Sequence, residues 1–461
     1  MPTHSRRSAL VARRRAMGYS QERLATAIGV DQSTVARWEQ GRTNPYPEHL
    51  RRLAKALAVD LDALDRLLIP SDVAPQVSGV PARSDSMVSP EGATVYAGDL
   101  VSARPWTARD TAEAIRALVE GGYGTMDRRS FLILSGSALT SPAHDWLVSQ
   151  SVDETIRRSG RAVEPSVINH LGEITDSIRR MDDRVGGGSL VNVVLGQVTY
   201  VQALLRDGRY TDSVGRDLWA TMAELLRLAG WIYFDTGRHG EAQRYFVSAL
   251  RGAHAAGDRA LGANILGFMS CQAKDIGQPR EAIKLADSAR AGYPGASPTV
   301  TAIVNMRVAQ AYANADDVAG TRRAIDAALT TFGETKPQHG EPAWSYWLDE
   351  AQINEQVGYC YMRIGDWPQA REHLLSAISD TSSREGVLRQ AFLADTYAQQ
   401  GEPEAACRTG TEAVDALLTH VDSARCVGHI QSVRDHLQPF AQLSCVQDFA
   451  ERVQQMELMS A

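Results

Sequence analysis

The chain has 461 residues, 44 % of them hydrophobic and 7 % aromatic, enough to fold two or three domains and exclude a disordered chain. Its net charge of −7 conceals an asymmetry. Residues 1–70 carry 12 Lys+Arg against 7 Asp+Glu, and the remaining residues carry 36 against 48. A basic head on an acidic body suits a polyanion-binding module joined to something that does not bind one. Five scattered cysteines without a CxxC spacing indicate reduced thiols and argue against zinc. No apolar run has the length of a membrane span or the form of a leader, so a cytoplasmic protein is expected.

Residues 5–16 read as a basic helix with Leu10 and Val11 inward and a run Arg13, Arg14, Arg15 available to phosphate. In residues 19–41, YSQERLATAIGVDQSTVARWEQG, two short helices meet at a tight turn. Ser20 caps the first, whose inner face is Leu24, Ala25 and Ile28; Gly29 turns the chain. Asp31 caps the second, with Val35 and Trp38 inward and Gln32, Ser33, Thr34 and Arg37 outward. Such a helix suits base edges in a DNA major groove. In the following turn, GRTNPYP, Arg42 and Asn44 are placed to touch phosphate, and Pro47 opens another helix. Leu50, Leu53, Leu57, Leu61, Leu64 and Leu68 close a small core.

These features (Gln21, Ala25, Gly29, Gln32-Ser33, Val35, Trp38-Glu39 and Gly41) resemble the Xre/Cro-type helix-turn-helix family over roughly residues 6–68. The resemblance implies a five-helix DNA-binding domain at residues 1–69. Gln32, Ser33 and Arg37 would read bases, and Gln21, Thr34, Arg42 and Asn44 would hold phosphates.

Residues 70–106 are rich in Pro, Ser, Gly and Ala and read as a linker. A helical connecting segment is expected over residues 107–185. It contains MDRRSFLILSGSAL (residues 126–139), whose Arg128 and Arg129 have the look of a twin-arginine export signal. Lying behind a complete DNA-binding domain, the segment reads instead as an apolar helix docked on the body.

Residues 186–461 repeat themselves. Gly230, Tyr233, Gly237, Ala242, Phe246 and Ala249 recur in spacing as Gly358, Tyr361, Gly365, Ala370, Leu374 and Ala377, and as Ser270, Ala273, Gly277, Ala282, Ala286 and Ala289. Ala309, Tyr312 and Ala328 form a weaker copy, and Ala394, Tyr397, Gly401, Ala406 and Ala413 another. Each copy specifies a helix pair: small residues let the helices cross, an aromatic fills the groove, and glycine turns the chain. The pattern resembles the tetratricopeptide repeat. A helix pair at about residues 190–205 and 213–228 would begin the superhelix, and two helices after Ser423 would cap it. The expected fold is therefore all-α.

No catalytic constellation is present, so an enzyme is not expected. There is no GxxxxGK[ST], HExxH or GxSxG. Gly186 to Gly188 read as a hinge, and neither His239 nor His254 has partners at metal spacing. No cofactor or metal is expected. The first helix of each repeat should line a partner groove, which nominates Trp231, Asn264, Lys274, Asn305, Gln310, Glu355, Tyr359 and Arg363. The whole arrangement resembles the peptide-sensing regulators of Gram-positive bacteria. Through MDRRSFL, DDRVGGG and LAGWIYFDTGRHGEAQRYF it resembles more closely a group of actinobacterial regulators. That resemblance implies a dimeric, sequence-specific regulator on an inverted repeat, its body binding a peptide, protein or small-molecule signal. The alternative is an interaction scaffold that does not bind DNA.

Overall fold

The computed structural model describes residues 10–11, 13–14, 17, 19–39, 47–57, 64, 105–122, 133–149, 159–186, 188–335, 340–378 and 383–460. They divide into two units, Met1–Pro90 and Glu91–Ala461. Arg42, Asn44, Arg128, Arg129 and all but the last two residues of the expected linker at residues 70–106 lie outside the described residues.

In the first unit, α1 (Gln21–Ile28) and α2 (Gln32–Glu39) form the turn-linked pair, followed by α3 (Pro47–Ala56). Positions 10, 11, 13, 14 and 64 are also helical. The Ser20 hydroxyl accepts the Arg23 N–H at 3.0 Å, satisfying one of the free donors at the start of α1. Gly29 has φ +76°, which lets the Val30 N–H return to the Ala25 carbonyl at 3.0 Å. Leu24, Ala25, Ile28, Val35, Trp38, Leu53 and Leu57 pack with Leu10 and Leu64 into one core.

The second unit is built from stacked antiparallel helix pairs: α8 (Asp212–Asp235) with α9 (His239–Ala256), α10 (Arg259–Asp275) with α11 (Pro279–Gly292), α12 (Pro298–Ala313) with α13 (Val318–Gly333), α14 (Glu350–Arg363) with α15 (Trp367–Ala377), and α16 (Arg384–Gln399) with α17 (Pro403–Thr419). α18 (Ala424–His436) and α19 (Ser444–Ser460) close the series. The leading helices start on side-chain caps, among them Thr211, Asp258, Ser297, Asp349 and Ser383.

The repeat signature has a direct steric origin. A Cβ on Gly230 would lie 2.7 Å from the Phe246 ring, and one on Gly358 would lie 2.7 Å from Leu374. At the equivalent position Ser270 donates to the Ala282 carbonyl at 2.8 Å, tying the same two helices together. Seven residues on, Gly237, Gly277, Gly365 and Gly401 all have φ of 76–77°. The remaining member of that set is Asp316, with φ +61°. Asp tolerates the left-handed region, so the turn is kept while the glycine signal is lost.

Helices α4 (Ala108–Gly122), α5 (Gly136–Val148), α6 (Pro165–Val185) and α7 (Val191–Asp207) share the hydrophobic cluster of the repeats. The stretch expected as a connecting segment is thus part of the body's core. Trp146 of α5 is fully buried over Gly262 and Gly292, where any Cβ would collide with its ring. Two-residue strands at Arg161–Ala162 and Gly208–Arg209 pair in parallel. No helix among the described residues is long and apolar enough to cross a membrane.

The superhelix closes on itself. Asp235, wholly buried at the end of α8, accepts the Ser423 hydroxyl at 2.9 Å and Arg425 Nε at 3.3 Å, with Arg384 Nη1 at 3.8 Å. Arg384 also donates to Asp182 of α6 at 2.9 Å. Gly186 belongs to this closure and does more than connect two helices: a Cβ there would lie 2.2 Å from the Asp422 carbonyl oxygen.

Candidate DNA interface and ligand cavity

On the head, Gln32, Ser33 and Arg37 are exposed along α2, and Thr34 is half-buried. Arg37 lies back along its own helix, Nε toward the Ser33 carbonyl at 3.3 Å and Nη2 toward Thr34 Oγ1 at 3.1 Å. Beneath this face, Glu39 is buried and held by Arg14, with Nε to Oε1 at 2.5 Å and Nη2 to Oε2 at 3.3 Å. Arg14 Nη1 also reaches the Tyr19 carbonyl at 2.7 Å.

Two expectations change here. Gln21, expected on phosphate, gives its amide to Glu39 Oε2 at 2.6 Å because the buried carboxylate has acceptor capacity to spare. Arg13 and Arg14, expected to be free for phosphate, are internal fasteners: Arg13 Nε donates to the Leu57 carbonyl at 2.9 Å. Charge alone does not separate a phosphate contact from a buried ion pair.

In the body, the leading helices surround a cavity of about 880 Å³ of atom-free space, its mouth included. Trp231, Lys274, Gln310, Glu355 and Tyr359, all nominated from sequence, line it. Asn264, Asn305 and Arg363 do not. Trp231, Cys271, Gln310 and Tyr359 each follow the small residue of their repeat. With one residue per about 100°, the small residue faces its partner helix and the next faces inward. Asn264 and Arg363 share that stripe but lie about two turns and one turn along their helices. Asn264 is buried and Arg363 exposed. Asn305 is rotated off the stripe.

Sequence reasoning missed most of the charge. The lining includes six basic residues and four acidic ones, of which Arg179, Asp182 and Asp183 come from α6, outside the repeat pattern. Arg384 and Arg425 hold Asp182, Asp235 and Glu385. Burial alone would lower the Lys274 ammonium, but Asp275 and Tyr359 outweigh it and hold the group above its ordinary range. Burial, with Glu385 nearby, raises Glu355 to about 7 despite its bond to Arg389 at 3.0 Å. Burial pushes His429 down to about 4, so the ring is neutral against Phe392. No group of metal-ligating side chains occurs among the described residues.

Residues 10–64 match the family model described as Helix-turn-helix. No curated protein matches the chain. Among solved structures, the chain is similar to a Podosopora anserina protein with nearly identical TPR-like repeats and to a single-substitution variant of it. Each is 14 % identical, covering 43 % of this chain and 95 % of that chain, with a TM-score of 0.31.

Proposed function

We propose, taking the head as an Xre-type helix-turn-helix, that the chain is a sequence-specific DNA-binding regulator whose body receives a signal in the cavity. The observation that carries this reading is the exposed polar face of α2 backed by a fixed underside. Gln32 and Ser33 are free to meet base edges, whereas Trp38 and Glu39 are locked beneath them. A side chain that must hydrogen-bond to one base edge needs a helix that does not rock. Arg37 can leave its intrahelical bonds for guanine or phosphate at little cost, since both bonds are solvent-exposed.

One recognition helix covers only a few base pairs, so a dimer on an inverted repeat is proposed, with half-sites about 34–36 Å apart. A ligand in the cavity would act by changing the head's DNA affinity, and linkage makes that effect reciprocal. Selection of bound fragments from a random DNA pool by the full chain tests the reading. A recovered two-fold motif is expected; recovery of no motif, with binding indifferent to sequence, would refute it.

A further inference from the structure

Most cations around the cavity have a carboxylate of their own. Arg384 has Asp182, Arg425 has Asp235 and Glu385, Lys274 has Asp275, and Arg179 has Glu224 and Asp176. Arg227 has only a long share of Glu224, the carboxylate that Arg179 holds, and Arg307 has no carboxylate among the described residues. Both line the cavity and are more than nine-tenths buried, at 6 % and 7 % exposure. Arg227 makes no hydrogen bond to any described residue, and its nearest carboxylate oxygen is Glu224 Oε1 at 3.9 Å, already held by Arg179. Arg307 gives one bond, to neutral Gln310 at 3.0 Å, and forms no ion pair among the described residues. The Nε atoms of both are buried and unpaired.

The two guanidinium groups share one aromatic ring: Arg227 lies 4.9 Å and Arg307 5.4 Å from the centroid of Phe268. Arg307 also stands 5.5 Å from the Trp347 ring. Aromatic faces recover part of what a desolvated cation loses, but they leave the planar N–H fork without an acceptor. A guanidinium fork of this kind is matched by a carboxylate or phosphate. The surrounding Trp231, Trp347 and Tyr359 supply flat apolar surface beside it.

We infer that Arg227 and Arg307 form an anion receptor, and that the cavity takes a small ligand with a carboxylate or phosphate group on a flat apolar body. This rests on the reading of the cavity as the signal site, although the receptor can be tested without DNA.

The probe is anilinonaphthalenesulfonate, whose sulfonate stands in for the anion, compared with uncharged N-phenylnaphthylamine by fluorescence titration of the full chain. The anionic probe should bind about tenfold or more tightly than the neutral one, the scale of a lost charged hydrogen bond. Arg307→Gln and Arg227→Gln should each remove that preference without weakening the neutral probe, and Arg307→Lys should keep part of it. Benzoate displacing the probe would identify a carboxylate site, and inorganic phosphate displacing it a phosphate site. Equal binding of both probes by the parent overturns the inference, with no variant needed. So does undiminished anion preference in both Gln variants when their melting matches the parent. DNA affinity is read separately: anion binding that leaves it unchanged refutes signalling through the cavity and keeps the receptor, whereas DNA binding without anion preference does the reverse.

Discussion

Replacing Glu39 with Ala isolates what holds the reading face of the head in place. The Arg14 and Glu39 side chains are 7 % and 2 % exposed, joined through two nitrogens and two oxygens. The substitution removes those bonds and the acceptor of Gln21, leaving a buried guanidinium with, among the described residues, only the Tyr19 carbonyl. Breaking a buried pair from one side costs about 3–5 kcal/mol, because the remaining charge is uncompensated. A unit of the matched span has roughly 3–8 kcal/mol of stability in all. The variant head should therefore sit near its unfolding midpoint at room temperature. Calorimetry of the full chain should show the head transition shifted down or lost and the body transition unmoved, with DNA affinity collapsing in parallel. The double variant Arg14→Met, Glu39→Leu should recover both, since neither side chain faces DNA and an apolar pair of similar volume is tolerated there. A Glu39→Ala chain with unchanged head melting and DNA binding would refute the fastening role.

Gln32→Ala should narrow the gap between cognate and random DNA by about 1–3 kcal/mol, whereas Arg42→Ala, expected from sequence to contact phosphate, should weaken all sequences and flatten the salt dependence; competition binding at several salt concentrations separates the two. Gly230→Ala drives a methyl into the buried Phe246 ring and should destabilise the body by about 1–3 kcal/mol in denaturant melts, and an unchanged midpoint would contradict the close crossing. Glu355, flanked by Glu385, Arg389 and Arg425, has a folded pKa raised to about 7 from 4.5. Between those values the folded state holds a proton that the unfolded state lacks. The parent should therefore gain stability over Glu355→Gln as pH falls from about 8 to about 5, by roughly 2–3 kcal/mol. A difference between the two chains that does not vary with pH would refute this.

The head was legible because its turn depends on short-range chemistry: Ser20, Ala25, Gly29 and Trp38 occupy offsets that few other structures require. The repeats were legible for the same reason, and one copy was faint because Asp316 and Thr321 stand where the other copies have glycine and alanine. The cavity's lining was half legible, since in four of the copies the position after the small residue faces inward whatever its identity. Arg227 and Arg307 were not, because an arginine on an inner helix face looks the same in sequence whether it holds a carboxylate or awaits a ligand. Nor was the closure foreseen. Asp235 and Ser423 are 188 positions apart, and a single long-range bond leaves no periodic trace.

That closure constrains how this protein can change. An open solenoid is modular, and units can be gained or lost at little cost to the others. Here the first leading helix is bonded to α18, which follows the last pair, so deleting or duplicating one helix pair would pull Asp235 away from Ser423 and Arg425. The number of pairs is fixed by geometry, and new specificity has to come from exchanging inward side chains, with the length of the array unchanged.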